Sequence, residues 1–490
     1  MKYFNPIIFA DYSDPDVIKD ENAFIMTASS FNYIPGLPIL ISKDLVNWEL
    51  KNYAIKKLNY EKYNLPCYSH GVWAPSIRKH NDTFYIFFGM PDEGIFEVHT
   101  KNPLGDWSEP HLVKKAKGLI DPCPFWDNDK AYIVHAYAKS RIGFKSILGI
   151  FEIDKDTNEA IGEDKLLYNG IETNPTIEGP KVYKINDYYY IFAPAGGVAT
   201  GWQTVLRSKS ITGPFEEKVV LAQNNTNING PHQGALIKDN NNKYWFIHFQ
   251  DRDIYGRITH LQPVIWENDW PIIGEMGSPV LSYEKTDLKE NISIAHPSSD
   301  NFSNKELSLQ WQWSANFQEK FYKIKENKLI LNSIYVENGN YKIEKYPNIL
   351  TQKIIYNSFD VGVDTDFSNL QNEEEAGLAF VDRVNISISL RNTDNTYHLY
   401  LNDKFDNKLL CVLEDPKDLT HLSMKLIENN KNLEFSYTIK NKTTTITHPL
   451  YEQITSWVGL KIGIYSISNN NNVDMGFAEF MKFKVRKINA

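Results

Sequence analysis

Five side chains that could take part in chemistry recur beside prolines in the first half of the chain: Asp14, Trp73, Asp121, Glu178 and His232. An Asp-Pro or Gly-Pro pair is also a common turn, so a single position is weak evidence. Three carboxylic acids at matching places carry more information. Carboxylates gathered in a concave site repel one another, which raises at least one pKa and separates an acid from a base. Glycoside hydrolysis requires such a pair.

Each of these residues lies 11 to 14 positions before an apolar reference residue in one copy of a repeated segment. These reference residues are Ile25, Ile86, Ile133, Ile191 and Phe246. The copies combine a polar turn with an aromatic or β-branched run, and they read DENAFIM, NDTFYIF, NDKAYIV, NDYYYIF and NNKYWFI. Successive copies lie 61, 47, 58 and 55 residues apart, which is too long for one hairpin and suits a four-stranded sheet. We therefore predict a five-bladed β-propeller in which rotation about the axis brings the five side chains to one channel mouth.

The repeat ends near residue 290, and the rest of the chain has a different pattern. From about Asn291 the sequence shows short alternating strands separated by turns rich in Asn and Asp. This pattern predicts a second all-β unit. The expected organisation is all-β, with the propeller over residues 1–290 and a second domain over 291–490.

These motifs together resemble glycoside hydrolase family 43 over about residues 5 to 275. NPIIFADYSDPDV, LIDPCPFWD and TIEGPKVYK resemble the family segments that carry a base, a pKa-modulating Asp and an acid. The resemblance thus implies that Asp14 is the general base, that Asp121 orients and raises the pKa of the acid, and that Glu178 is that acid. LSLQWQWSANF and AGLAF resemble the lectin-like (concanavalin A-like) β-sandwich of the xylosidase-type members.

The resemblance also implies residues that bind the sugar, although aromatic core packing and surface ion pairs are alternatives for them. HGVWAPSI, GPHQGAL and YGRITHLQPVIW resemble segments that line the sugar pocket. His232 has two further interpretations, a substrate contact or a support for a calcium ion in the channel, where oxygen ligands would have to complete the site. The expected substrate-binding residues are Phe31, Asn32, Trp73, Trp202, Gln203, His232, Gln233 and Arg257.

The activity implied by the resemblance is an inverting exo-glycosidase, a β-xylosidase that releases xylose from non-reducing ends of β-1,4-xylo-oligosaccharides. An α-L-arabinofuranosidase activity could accompany it, because the two sugars present similar hydroxyl geometry. A dedicated arabinofuranosidase or arabinan-cleaving enzyme is one alternative, and a non-catalytic glycan-binding propeller is another. The second domain is expected to close the pocket, to bind glycan or to act as a structural cap.

Composition excludes several other classes of function. Lys and Arg total 52 against 61 Asp and Glu, so a net charge of −9 disfavours nucleic acid as a partner. No apolar run reaches the length of a membrane helix, and the N-terminal residues lack the apolar core of a signal peptide. Three scattered cysteines suggest neither disulfides nor zinc, and they favour a reducing cytoplasm. Self-association into a homo-oligomer is compatible with the sequence.

Overall fold

The computed structural model describes residues 1–21, 23–288, 295–381, 385–428, 432–450, 458–471 and 474–488. After a short strand β1 (Lys2–Phe4), the five repeats form five four-stranded antiparallel sheets in sequence order. Blade 1 contains β2 (Asp16–Asp20), β3 (Ala23–Thr27), β4 (Gly36–Ser42) and β5 (Trp48–Ile55); blade 2 contains β6 (Trp73–His80), β7 (Thr83–Met90), β8 (Gly94–Thr100) and β9 (His111–Lys115); blade 3 contains β10 (Leu119–Asp127), β11 (Lys130–Tyr137), β12 (Ile147–Ile153) and β13 (Ala160–Asn169); blade 4 contains β14 (Lys181–Ile185), β15 (Tyr188–Ala195), β16 (Trp202–Ser208) and β17 (Glu216–Ala222); blade 5 contains β18 (His232–Lys238), β19 (Tyr244–Asp251), β20 (Arg257–Glu267) and β21 (Trp270–Ile273).

The first strand of each blade lies nearest the axis, and the blades close into a ring. Strand β18 of the last blade packs against β2 of the first. Strand β22 (Ser282–Glu284) then pairs with β1, which joins the two ends of the propeller. The repeated Asn opens the tight turn between the first and second strands, and Asn81, Asn128 and Asn186 take the left-handed conformation that Asn tolerates. The aromatic runs that follow form the mostly buried second strands, such as β7 and β15.

Contacts between neighbouring blades recur at the far mouth of the channel. Lys79 of blade 2 pairs with Asp20 of blade 1, at 2.6 Å between Nζ and Oδ1. Lys184 of blade 4 pairs in the same way with Asp127 of blade 3, at 2.8 Å. At the corresponding place in blade 3, the ring of Trp126 stacks on His80 of blade 2, with centroids 4.6 Å apart. The same position of the repeat thus joins consecutive blades, through an ion pair in two cases and through stacked rings in the third. Each exposed ion pair contributes little to stability by itself.

The second half of the chain forms two packed sheets that are antiparallel except for the parallel pair of β26 and β36. In chain order its strands are β23 (Gln312–Trp313), β24 (Tyr322–Lys325), β25 (Lys328–Asn332), β26 (Ile334–Tyr335), β27 (Leu350–Lys353), β28 (Phe359–Asp366), β29 (Glu374–Val381), β30 (Ile386–Thr393), β31 (Thr396–Asn402), β32 (Asn407–Leu413), β33 (Leu419–Leu426), β34 (Asn432–Ile439), β35 (Lys442–Pro449), β36 (Lys461–Ser468) and β37 (Phe477–Lys487). One sheet has the order β23-β27-β36-β29-β30-β31-β32, with β26 beside β36, and the other has the order β24-β25-β37-β28-β33-β34-β35. One large apolar core, which includes Leu378, Phe380 and Phe435, lies between them.

These sheets confirm the predicted all-β architecture of a five-bladed propeller followed by a β-sandwich. The predicted boundary between residues 290 and 291 falls outside the described residues. Helical structure in the described part is limited to one turn, α1 (Lys139–Ile142), and five 3-10 turns at Glu61–Asn64, Asp253–Tyr255, Glu319–Phe321, Ile343–Lys345 and Pro416–Asp418. Among the residues described, no helix has the length and apolar character needed to cross a membrane.

Candidate active site

The first strand of each blade begins with the same backbone irregularity at the pocket end of the channel. Five residues there have positive φ angles between 28° and 57°: Asp14, Ala74, Asp121, Gly179 and Gln233. In blades 2, 3 and 5 the pairing with the second strand shifts register at this point, as in a β-bulge. Positive φ in a non-glycine residue is uncommon and concentrates at functional sites.

This alignment corrects one detail of the sequence interpretation. Asp14 and Asp121 do occupy equivalent positions in their blades. Trp73, Glu178 and His232 lie one residue before the equivalent positions, which belong to Ala74, Gly179 and Gln233. A shift of one residue along a strand reverses the direction of the side chain. Trp73 and Glu178 nevertheless line the same pocket as Asp14 and Asp121, whereas His232 is absent from its described wall.

Asp14 is held through both carboxylate oxygens. Oδ1 accepts a hydrogen bond from Nη1 of Arg257 at 3.1 Å, and Oδ2 accepts one from the Ser29 hydroxyl at 2.5 Å. The same Ser29 oxygen accepts the backbone N–H of Ala74 at 2.7 Å. Because Asp14 is buried and each oxygen has a donor, its orientation is set before any ligand arrives.

Glu178 lies in the same pocket and contacts the predicted histidine. Its Oε1 is 2.8 Å from Nε2 of His232, whose side chain is fully buried. The Nδ1 atom of His232 is buried without a hydrogen-bond partner among the described residues. His232 therefore lies behind Glu178 and orients its carboxyl group, and it is absent from the part of the pocket wall that the structure describes.

Asp121 is the most deeply desolvated of the three acids. Its Oδ2 accepts the backbone N–H of Gly179 at 2.8 Å and the Gln233 amide at 3.2 Å. Burial raises the pKa of Asp121 well above its usual value, and the charges of Glu178 and Asp14 raise it further. These effects favour the protonated form of Asp121.

The pKa of Glu178 moves in the opposite direction. Burial raises the pKa, but the hydrogen bond with His232, the attraction to His232 and the charges of Arg257 and Lys145 lower it, and the net shift is downward. The sequence interpretation expected Asp121 to raise the pKa of Glu178. The effects of His232, Arg257 and Lys145 together outweigh that of burial on Glu178, and the contribution expected from Asp121 stays a prediction.

The three acids share one cavity of about 310 Å³, near the lower limit of the roughly 300–1,000 Å³ typical of small-ligand pockets. Phe31 and Trp73 form an aromatic wall, with an edge-to-face contact at 6.5 Å between ring centroids. The guanidinium of Arg141 lies 5.2 Å from the Trp73 ring on another side. Seven of the predicted residues line this cavity: Asp14, Phe31, Trp73, Asp121, Glu178, Gln233 and Arg257.

Three other predicted sugar contacts, Asn32, Trp202 and Gln203, lie outside the described wall of this cavity. Asn32 donates its amide to the backbone oxygen of Ser314 in the sandwich at 2.7 Å. The Trp202 ring packs in the core of blades 3 and 4, and its Nε1–H donates to Thr204 at 3.1 Å. Gln203 is buried and donates to the backbone oxygen of Thr204 at 3.0 Å. Their positions favour structural roles.

Several wall residues escaped the sequence analysis because no repeated motif contains them. Tyr137, Lys139, Ser140 and Lys145 come from the connection between β11 and β12 of blade 3. Ser29, which fixes Asp14, follows the second strand of blade 1 in a segment without a counterpart in the other blades. Lys145 places positive charge near Glu178.

The calcium ion that the family resemblance allows at His232 would need backbone carbonyls and waters for most of its oxygen ligands. Calcium prefers six to eight oxygen ligands. The Nε2 atom of His232 is occupied by Glu178, and its ring neighbour is Phe249. Across the described part of the chain, no three His, Cys, Asp or Glu side chains are grouped so that they could hold a metal ion.

Comparisons with known proteins agree with this geometry. Residues 3–271 match the family described as glycosyl hydrolases family 43, and residues 299–486 match the beta xylosidase C-terminal concanavalin A-like domain. A Xylanibacter ruminicola protein, provisionally named a beta-xylosidase, is 39% identical over 351 residues, 70% of this chain and 65% of that protein. The matched region thus spans slightly less than two thirds of that relative.

Two more distant matches extend over nearly the whole chain. A Bacteroides ovatus protein, named a non-reducing end alpha-L-arabinofuranosidase, is 26% identical over 522 residues, 98% of this chain and 94% of its own. The solved structure of a Bacillus halodurans xylan beta-1,4-xylosidase has a TM-score of 0.87 at 20% identity, covering 99% of this chain and 100% of its own, and it supports the fold. Because the family pattern covers more than half of the chain and includes all three acids, this protein belongs to family 43 of the glycosyl hydrolases.

Proposed function

We propose that this protein is an inverting, exo-acting β-xylosidase that releases xylose from the non-reducing ends of β-1,4-xylo-oligosaccharides. The observation that carries the proposal is the joint presence of Asp14, Asp121 and Glu178 in one small, aromatic-walled pocket. The xylosidase names of the relatives and the C-terminal domain support the choice of xylose. A cavity of about 310 Å³ suits a chain end better than the middle of a polysaccharide.

Asp14 is the base in this mechanism. A carboxylate that is fixed by Arg257 and Ser29 can accept a proton from a water molecule as that water attacks the anomeric carbon. Inversion requires the water to approach from the face opposite the leaving oxygen, with the base and the acid about 6.5–9.5 Å apart. Asp14 on blade 1 and Glu178 before blade 4 come from non-adjacent blades of the ring, which is compatible with opposite faces.

Glu178 supplies the proton to the leaving oxygen. Charge repulsion between Asp121 and Glu178 favours one proton for the two, and burial favours its location on Asp121. A bound sugar displaces water and desolvates Glu178 further, which favours its protonated form. Asp121 therefore holds the shared proton while Glu178 is ionised. During the reaction the charge of Asp121 favours the protonated form of Glu178.

The arabinofuranosidase activity is a second candidate, supported by the name of the Bacteroides ovatus relative. Incubation with xylobiose, xylotriose and an arabinofuranosyl oligosaccharide, followed by product chromatography, tests both. Xylose alone from the first two, released one unit at a time, is expected. Faster release of arabinose would make the dedicated arabinofuranosidase the better assignment. Binding of these sugars without any product would support the non-catalytic propeller.

Replacement of His232 by leucine is expected to move the alkaline limb of the kcat/KM profile to higher pH. His232 lowers the pKa of Glu178, so its loss leaves burial dominant and raises that pKa. Since the reaction needs protonated Glu178, activity is lost as the pH rises through this pKa, and a higher pKa delays the loss. The pH profile of purified H232L measures the shift, with exposed His99→Leu as control. An unchanged or lowered alkaline limb would contradict the role of His232.

Removal of divalent cations is expected to leave kcat and Tm unchanged, because the described residues contain no group of three His, Cys, Asp or Glu side chains that could hold a metal ion. The measurement compares protein treated with EDTA and dialysed against the same protein with millimolar calcium restored. A loss of activity or of several degrees in Tm that calcium reverses would revive the calcium hypothesis.

We also propose a cytoplasmic location, for which the three free cysteines are the support. Immunodetection of the native protein in fractionated cultures tests the location. Recovery mainly from the medium would overturn it.

A further inference from the structure

We propose that Asp11 is a positioning residue through which the sandwich domain holds Arg257 against the base Asp14. The proposal rests on the xylosidase assignment for its kinetic test and on the contacts between the two domains for its geometry. It assigns the sandwich a part in aligning the propeller's own catalytic residues. This part is distinct from any contact of the sandwich with substrate.

The carboxylate of Asp11 joins the two domains at one point. Oδ1 accepts the backbone N–H of Arg257 at 3.0 Å and the Ser13 hydroxyl at 3.0 Å. Oδ2 accepts the backbone N–H of Gly459, which belongs to the sandwich, at 2.9 Å. Asp11 is buried and does not line the described wall of the cavity, so these donors account for its position. The Arg257 side chain then reaches Asp14.

Two glycines allow the domains to approach closely beside Arg257. A Cβ atom on Gly459 would lie 2.6 Å from the backbone oxygen of Tyr255, and one on Gly256 would lie 2.5 Å from the nitrogen of Gly459. Contacts this short with backbone atoms cannot be relieved by a side-chain rotation. Gly256 also has a φ of 73°, which disfavours any other residue. The junction therefore requires glycine on both sides.

The residues around Gly459 extend this contact in both directions. Val458 packs with Phe31 and Tyr33 behind the aromatic wall of the pocket. The Leu460 N–H donates to the backbone oxygen of Ile254 at 2.8 Å. Ile254 and Tyr255 lie within the apolar core of the sandwich.

The turn that precedes Arg257 is thus embedded in the other domain, and the Tyr255 hydroxyl also donates to Asn357 there, at 2.6 Å. A second donor from the sandwich completes the junction, because Lys353 donates to the backbone oxygen of Asp11 at 2.6 Å. Both the carboxylate and the carbonyl of Asp11 are therefore bound by the sandwich. Movement of the sandwich edge would displace the Arg257 backbone, and with it the guanidinium that orients Asp14.

The test is a double-mutant cycle on the full chain, with kcat on xylobiose and Tm measured for each variant. Asp11→Asn replaces one acceptor by a donor, which leaves either Arg257 or Gly459 facing an N–H group. We expect kcat to fall about 10- to 100-fold in D11N and more in Arg257→Ala. If Asp11 acts through Arg257, the double variant D11N/R257A is no slower than R257A.

A second variant reaches the same junction from the sandwich side. Gly459→Ala should reproduce the fall in kcat and the non-additivity with R257A. The matched control is Glu428→Gln, which weakens the interdomain ion pair with Arg252, at 2.9 Å, without touching Asp11. E428Q should keep the wild-type kcat. Additive losses in the double variants, or an equal loss in E428Q, would overturn the proposal.

Hydrogen exchange followed by mass spectrometry tests the Asp11 link independently of the proposed xylosidase activity. D11N and G459A should accelerate exchange in the peptide that contains the Arg257 amide, whatever the substrate. Unchanged exchange in both variants would refute the link itself. An inactive wild-type protein with accelerated exchange in the variants would refute the xylosidase assignment and leave the link standing.

Discussion

Replacement of Glu178 by alanine is expected to lower kcat/KM on xylobiose by about 10³-fold, within the 10²- to 10⁴-fold contribution of a positioned general acid. The loss on a 4-nitrophenyl xyloside should be much smaller, because nitrophenolate leaves without protonation. The contrast follows from the position of Glu178. It lines the pocket wall with His232 behind it, and it is separate from Asp14, the carboxylate that activates water. Steady-state kinetics on the two substrates measure it.

The control for this variant is Glu172→Ala, an exposed acid in the same connection between blades 3 and 4. It should behave as wild type on both substrates. Equal losses for E178A on xylobiose and on the nitrophenyl xyloside would contradict the assignment of Glu178 as the acid. They would show that the contribution of Glu178 to the rate does not depend on protonation of the leaving group.

Asp14→Asn is expected to lose about 10³-fold or more on both substrates. Asparagine has nearly the same shape but cannot accept a proton from water, and its amide would face either the guanidinium of Arg257 or the Ser29 hydroxyl. A better leaving group does not replace the missing base. The same kinetic assays measure the effect, and far-UV circular dichroism checks the fold.

An exposed acid of the blade 2 hairpin, Asp82→Asn, is the matched control and should retain wild-type kinetics. A D14N variant that kept wild-type turnover on the nitrophenyl xyloside would remove Asp14 from the role of base. The Arg257 and Ser29 contacts would then be explained as packing of a buried carboxylate.

The propeller was predictable because its signal is local and repeated. Each blade places an Asn-containing turn before an aromatic strand, and this unit can be counted in the sequence, from NDTFYIF to NNKYWFI. The sandwich was predictable only as a class, since its strands lack a repeat. Its pairings, such as β28 beside β37, join segments more than a hundred residues apart.

The repeat predicted which residues approach the axis but not their exact register. The positive-φ residues Ala74, Gly179 and Gln233 shift the equivalence by one residue, and the β-bulges at Ala74 and Gln233 have no reliable signature in one sequence. Sequence position also cannot tell which partner a side chain takes. Asn32 lies beside Phe31 in the chain, yet it donates to Ser314 of the other domain.

The direction of the pKa shift of Glu178 also could not be predicted from the sequence. From the chain alone, only the repulsion among the three acids was visible. The groups that lower the pKa of Glu178 include Arg257 and Lys145, which come from blade 5 and from a connection in blade 3. Their joint effect depends on distances that only the folded chain defines.

The central claim is inversion with Asp14 as base and Glu178 as acid, and the most direct measurement is proton NMR of the wild-type protein during the first minutes of xylobiose cleavage. We expect that α-xylose from the non-reducing end appears first and that β-xylose grows later by mutarotation. Initial β-xylose would mean retention and would contradict the proposed mechanism.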